Sequence, residues 1–136
     1  MTTAIPLTLH LLVLIGVYEF AAGIAGLTRR ISWLAILDEF DSSPALTLIT
    51  GFMAFAVGAA INLGHHHWTD PLAIIVSLIG WIAMIEGVML MVCPGPLLRF
   101  SRRPAGNQIL ISVLATAFGL LLILLGLTGR ADPTAL

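Results

Sequence analysis

Residues 71–92 read PLAIIVSLIGWIAMIEGVMLMV, an apolar stretch in which Glu86 is the only charged side chain. A helix that crosses a bilayer needs roughly 20 mainly apolar residues, and this stretch has that length. Asp70 can cap the helix at its start, and Pro71 fits the first helical turn, where a missing N–H is tolerated. The CPGP segment that follows, at 93–96, cannot continue a regular helix. The sequence therefore predicts a membrane-spanning helix over 71–92.

Three further stretches share this character, and Ser43 before Pro44 and Asn107 before the last stretch repeat the capping pattern. The first stretch lacks a positively charged leader and contains Glu19, so we expect it to be retained and not cleaved as a signal peptide. Short connections favour neighbouring antiparallel helices. We therefore predict an all-α integral membrane protein, one domain over residues 1–136, whose four transmembrane helices form an up-down bundle at about 6–27, 44–63, 71–92 and 107–127.

The composition agrees with a membrane protein. The chain is 59% hydrophobic and 10% charged, with a mean hydropathy of +1.06, whereas soluble domains carry about 25% charged residues. The net charge of −1 supplies no basic field, so we expect no nucleic-acid partner. The single cysteine excludes an internal disulfide framework and any metal site built from several cysteines.

The basic residues predict the orientation. All six are arginine: Arg29 and Arg30 after the first span, Arg99, Arg102 and Arg103 between the third and fourth, and Arg130 in the tail. Loops rich in Lys and Arg stay in the cytoplasm. We therefore predict a multi-pass protein of a bacterial inner membrane, with the two arginine-bearing loops cytoplasmic and with both termini and the loop from His65 to Asp70 on the other side.

A short motif recurs in the first and third spans. Leu14-Ile15-Gly16 reappears as Leu78-Ile79-Gly80, and the same register places Gly23 on Gly87. After a small shift, Gly58 falls near Gly119, and Gly64 near Gly126. This pattern predicts a tandem duplication of a helical hairpin, with both halves running in the same direction. Chance recurrence is the alternative, because Leu, Ile and Gly are common in membrane helices.

Small residues recur at helix-packing spacing in three spans. The pairs are Ala22 and Gly26, Ala54 and Gly58, and Ala115 and Gly119. Such pairs let helix backbones approach closely, because packing drives helix association in lipid. They are interpreted either as packing within one chain or as an interface with a second copy or another membrane protein.

The first arginine-bearing loop contains an amphipathic stretch. Trp33, Ile36, Leu37 and Phe40 recur at helical spacing, and the acidic residues lie off that stripe. We expect an interfacial helix here, either with its apolar side among lipid headgroups or docked onto the cytoplasmic ends of the second and fourth spans.

Two carboxyl groups, Glu19 and Glu86, lie within spans. An ionised carboxylate there costs about 2.5–3.5 kcal/mol, so neither is expected to face lipid in the charged form. On the repeat register Glu86 matches Ala22, one helical turn from Glu19. One hypothesis is a site for a proton or cation between the first and third helices, with Tyr18 and Trp81 as lining candidates. The other is a protonated glutamate that closes a helix–helix contact.

The histidines lie near one membrane surface. His10 and the run His65, His66, His67 are weak candidates for a metal site, and a solvated loop is the simpler interpretation. No span contains a central histidine pair for haem, and no catalytic motif is recognisable. We therefore expect no cofactor and no enzyme activity.

Two resemblances follow from these motifs. The segment 80–87, GWIAMIEG, with Cys93-Pro94 and an arginine-bearing turn, resembles small uncharacterised bacterial four-helix inner-membrane proteins over about half the chain. This resemblance implies a location and no chemistry. The position of Glu19 within 17–20, VYEF, is similar by analogy to that of the first-helix acid of small multidrug resistance transporters. That acid exchanges protons for cationic drugs in a dimer, and Glu86 has no counterpart there.

The sequence thus favours a non-catalytic accessory or interaction subunit. Its expected partners are the bilayer and either a second copy or another membrane protein. The alternative is a small homo-oligomeric transporter, coupled to protons or cations through Glu19 and Glu86.

Overall fold

The computed structural model describes residues 2–3, 6–28, 30–65, 67–68 and 70–131. Helices account for most of them: α1 Pro6–Leu27, α2 Trp33–Ser42, α3 Pro44–Gly64, α4 Pro71–Val92, α5 Pro94–Ala105 and α6 Gln108–Thr128. Two short strands, β1 Thr2–Thr3 and β2 Arg130–Ala131, pair in parallel. The helices α1, α3, α4 and α6 are long and apolar enough to span a membrane. The predicted all-α fold with four such helices is confirmed.

The helix starts follow from local capping. Ser43, Asp70 and Asn107 each accept a hydrogen bond from the backbone N–H three residues further on. Pro44 and Pro71 occupy the first turns of α3 and α4. These contacts satisfy backbone donors that have no partner inside the helix, and they place the helix starts where the sequence predicts them.

The four long helices form two antiparallel pairs, α1 with α6 and α3 with α4, and the pairs meet along α1 and α4. The helices alternate in direction. The short helices α2 and α5 lie together at one end, called here the arginine side. The loop at 65–70 and the β1–β2 pairing lie at the other end, the histidine side.

Each pair is held by contact between backbones. A Cβ atom built on Gly16 would lie 2.7 Å from the carbonyl oxygen of Gly119 in α6. In the other pair, a Cβ on Gly58 would lie 2.5 Å from the carbonyl oxygen of Gly80 and 2.6 Å from the nitrogen of Met84. These separations leave no room for a side chain. The glycines therefore allow the close approach that gives dispersion contact between helices in lipid.

The contacts of the two pairs repeat on the register found in the sequence. Gly119 contacts the backbone of residues 16 and 20, and Gly58 contacts that of residues 80 and 84. Residues 80 and 84 lie 64 positions after residues 16 and 20, which is the spacing of the repeat. Gly23 and Gly87 are also 64 positions apart. Gly23 contacts residues 112 and 116, and Gly87 contacts residues 51 and 55. The two helix pairs are thus built from equivalent contacts. The suggested match of Gly64 with Gly126 is not reproduced, since only Gly126 is packed.

The arginine side carries a second apolar cluster. Leu37 of α2 is buried against Leu98 and Ala105 of α5. The amphipathic helix predicted near 33–40 is present, and it docks onto other helices of the chain. The sequence pattern does not predict helix α5, because the CPGP segment indicates a helix end. It does end α4, and Pro94 then occupies the first turn of a new helix, where its missing N–H is tolerated.

The glycine contact gives a testable prediction. We expect Gly58→Ala to destabilise the protein by about 1–3 kcal/mol, because the new methyl group has to push α3 and α4 apart. Thermal unfolding in mild detergent would measure the loss. Gly64→Ala is the matched control on the same helix, since no atom lies within 4 Å of its added Cβ. Equal effects of the two substitutions would contradict close packing at Gly58.

Candidate functional site

The two helix pairs touch most closely on the histidine side. Five apolar side chains from all four long helices are buried together there: Leu12, Ile61, Leu72, Val76 and Leu122. We call this cluster the apolar seal. Its members are 0–9% exposed, so it closes the junction between the pairs at that level.

Below the seal the junction contains no fully buried apolar side chain of α1 or α4. From residue 16 to the end of α1, and from residue 80 to the end of α4, the buried residues are all glycines. Those glycines face α6 or α3, within their own pair. No side chain of α1 or α4 is therefore buried between the pairs over this length. We call this part of the junction the inter-pair gap, which lies between the apolar seal and the cluster of α2 and α5.

Glu19 and Glu86 lie at the inter-pair gap. Their carboxyl groups are near enough to repel each other when both are ionised. Glu19 is half-buried and Glu86 is exposed at the surface of the chain. Within the described residues, neither carboxyl group has a hydrogen bond or an ion pair. Two carboxyl groups within electrostatic range of each other favour the binding of a proton or a cation.

The suggested lining residues lie on the outside of the chain. Tyr18 is 72% exposed and Trp81 is 42% exposed, and no described hydrogen bond joins either to the two acids. Both side chains are therefore positioned to contact lipid or another chain.

The small residues of the sequence pattern are used within the chain. Gly26 packs against Ser112 of α6, Gly58 against α4, and Gly119 against α1. Their partners in the pattern, Ala22, Ala54 and Ala115, are half-buried. The glycine surfaces are thus already covered by neighbouring helices of the same chain.

A buried polar cluster lies beside the apolar seal. His65 is fully buried, with its Nε2 2.7 Å from the Thr8 hydroxyl of α1 and its Nδ1 3.4 Å from the Ser77 hydroxyl of α4. The Ser77 hydroxyl also donates to the carbonyl oxygen of His67 at 2.9 Å. We call Thr8, His65 and Ser77 the His65 cluster. It links both helix pairs on the histidine side through hydrogen bonds.

The candidate metal ligands are not gathered into a site in the described part of the chain. His10 is exposed, and its Nδ1 lies 3.0 Å from the carbonyl oxygen of Pro6. His65 has hydroxyl partners, His67 is exposed, and His66 lies outside the described residues. Among those residues, no group of three His, Cys, Asp or Glu side chains could hold a metal ion.

Some polar contacts between helices are not predicted by any motif in the sequence. The Gln108 amide donates to the carbonyl oxygens of Gly26 and Ile31 at 2.9 Å, which closes the end of α1 against α6. The Trp33 indole donates to the Ser112 hydroxyl at 3.1 Å. A polar side chain within or at the end of an apolar span indicates a hydrogen bond to another helix, but it does not identify the group that forms the other half of that bond.

Comparison with protein-family models, curated proteins and solved structures found no match to this chain. Function therefore has to be inferred from the chain's own residues.

The His65 cluster predicts how stability depends on pH. Burial lowers the pKa of His65 from its ordinary value of 6.5, because the buried ring has lost the water that would stabilise its charged form. The unfolded chain therefore binds a proton at a pH where the folded chain resists it. The free energy of unfolding should accordingly fall as the pH decreases below 6.5 and be fully retained above it.

Thermal unfolding at about pH 7.5 and about pH 5.5 would test this dependence on histidine titration. The wild type and the control His10→Gln should both lose stability in acid. His65→Gln should be less stable at neutral pH and should lose less on acidification, since an amide does not titrate. An unchanged acid-induced loss in His65→Gln would refute this role for His65.

Proposed function

We propose that the chain is a small, homo-oligomeric carrier of a bacterial inner membrane, in which Glu19 and Glu86 together bind a proton or a small cation. The observation that carries this proposal is that the two carboxyl groups lie within electrostatic range of each other. They come from different spans, 67 residues apart in the sequence. Ionisable groups inside a membrane protein typically mark ion or proton pathways.

The shape of the junction supports this proposal. The apolar seal closes the junction on the histidine side, whereas the inter-pair gap lies toward the arginine side. The positive-inside rule assigns the arginine side to the cytoplasm. In this orientation the acids can exchange protons with the cytoplasmic side, and the seal has to open for transfer to the opposite side.

The packing weakens the argument for an accessory subunit that binds through its glycine faces, because Gly26, Gly58 and Gly119 already contact helices of the same chain. The accessory role keeps one specific observation in its favour. Glu86 is exposed at the surface of a single chain, at a depth where contact with lipid is costly. A second copy or another membrane protein that covers Glu86 would remove this cost, so we retain the accessory subunit as the second candidate.

Proton flux into liposomes tests the carrier proposal directly. The purified protein would be reconstituted around a pH-sensitive dye, and an imposed gradient of protons or of a monovalent cation would drive the flux. We expect Glu19→Gln and Glu86→Gln each to slow the flux, and the double variant to match protein-free liposomes, because an amide cannot release a proton.

Glu39→Gln is the matched control for this flux experiment. Glu39 is an exposed acid on α2, outside the spanning helices. Its substitution removes the same charge and should leave the flux unchanged. Wild-type flux no faster than that of the double variant would end the carrier proposal.

The accessory role makes a different prediction. The protein purified from native membranes in a gentle detergent should carry a stoichiometric partner, and Glu86→Gln should weaken that association while Glu39→Gln leaves it intact. The amide replaces one carboxyl oxygen by an N–H donor, which disrupts a hydrogen bond that the oxygen accepts across the interface, and such a bond is worth about 1–2 kcal/mol in membranes. A wild-type protein that runs as a lone monomer would exclude this role.

A further inference from the structure

Helix α5 is held at the membrane surface by its neighbours. It begins two residues after α4 ends and is followed within three residues by α6, and both of those helices are long and apolar enough to span a membrane. Its side chains Leu98 and Ala105 are buried against α2. A helix between two spans and docked on one side presents its remaining surface to the bilayer boundary.

The docked face of α5 already has its charge partners. Arg102 lies on the same side of the helix as Leu98, one turn further on. Its guanidinium donates to Asp38 of α2 at 2.7 Å and also pairs with Asp41. These contacts pair the two aspartates of α2 with Arg102, so Arg102 is not available to bind another anion.

The opposite face of α5 is both basic and apolar. Arg99 and Arg103 are one turn apart and share a side of the helix with Phe100. All three are exposed, Phe100 to 75%. In the part of the chain that the structure describes, Arg99 and Arg103 form no ion pair. An aromatic ring beside two unpaired guanidinium groups suits the membrane boundary, where lipid phosphates adjoin the acyl chains.

We propose that this face of α5, formed by Arg99, Phe100 and Arg103, binds the phosphate groups of anionic phospholipids. The planar guanidinium group presents parallel N–H donors that match two phosphate oxygens, and a negative headgroup compensates the charge that the protein leaves unpaired. The Phe100 ring then lies among the upper acyl chains. This surface is separate from Glu19 and Glu86, and it stands whether or not those residues carry protons.

The full-length protein in neutral detergent allows a direct test. Phosphatidylglycerol or phosphatidylcholine would be titrated in, and native mass spectrometry would count the lipids that remain bound. We expect the wild type to prefer phosphatidylglycerol about 10- to 30-fold, the preference that two arginines near a headgroup confer. The double substitution Arg99→Gln, Arg103→Gln should bring this preference close to one, and Arg99→Lys, Arg103→Lys should restore part of it.

Arg130→Gln is the control, because Arg130 is an exposed arginine on the histidine side and should not affect the preference. Phe100→Ser should weaken both lipids equally, because it removes the apolar contact and keeps both charges. The proposal is overturned if the double glutamine variant keeps the wild-type preference. It is also overturned if inorganic phosphate competes as well as phosphatidylglycerol, since the face would then recognise a free anion and not a lipid.

Discussion

The close approach of helix backbones at glycine is the constraint on which the remaining features of the protein depend. Helices in lipid gain little from hydrophobic burial, and dispersion contact between backbones takes its place. The contacts of Gly16 with α6 and of Gly58 with α4 leave no space for side chains inside either pair. Ionisable groups therefore have to lie at the surface of a pair. The junction between the pairs is the place where such groups can come together, and Glu19 and Glu86 lie within electrostatic range of each other.

The junction differs in chemistry along the membrane normal. On the histidine side it is closed by apolar side chains and joined by the hydrogen bonds of His65. In its middle it holds two carboxyl groups with no described protein partner. On the arginine side the docked helices α2 and α5 cross it, linked by Arg102. A movement of one pair against the other would thus break different contacts at each end.

Much of this arrangement could be predicted from the sequence, because it is encoded locally. Span length, proline in the first turn and the capping side chain of Asp70 are properties of neighbouring residues, and the long helices agree with them. The repeat register could also be predicted. The features that could not be predicted depend on distant partners. A glycine pattern indicates that a helix packs closely but not against which helix, and the sequence around His65 gives no indication that Thr8 and Ser77 lie beside its ring. Helix α5 could not be predicted in this way, because proline is found both at the end and at the start of helices.

The repeated contacts have a consequence for the symmetry of the acids. Each helix pair contains one helix from either half of the chain, so neither half can cover its own glycines. A protein of half this length could make the same contacts only as a twofold dimer, in which any acid would face an identical copy of itself. Joining the halves into one chain removes that restriction. Glu86 stands opposite the level of Ala22, one turn from Glu19, and one acid is half-buried while the other is exposed. The two acids therefore occupy inequivalent positions in the two halves, which two identical half-length chains could not provide.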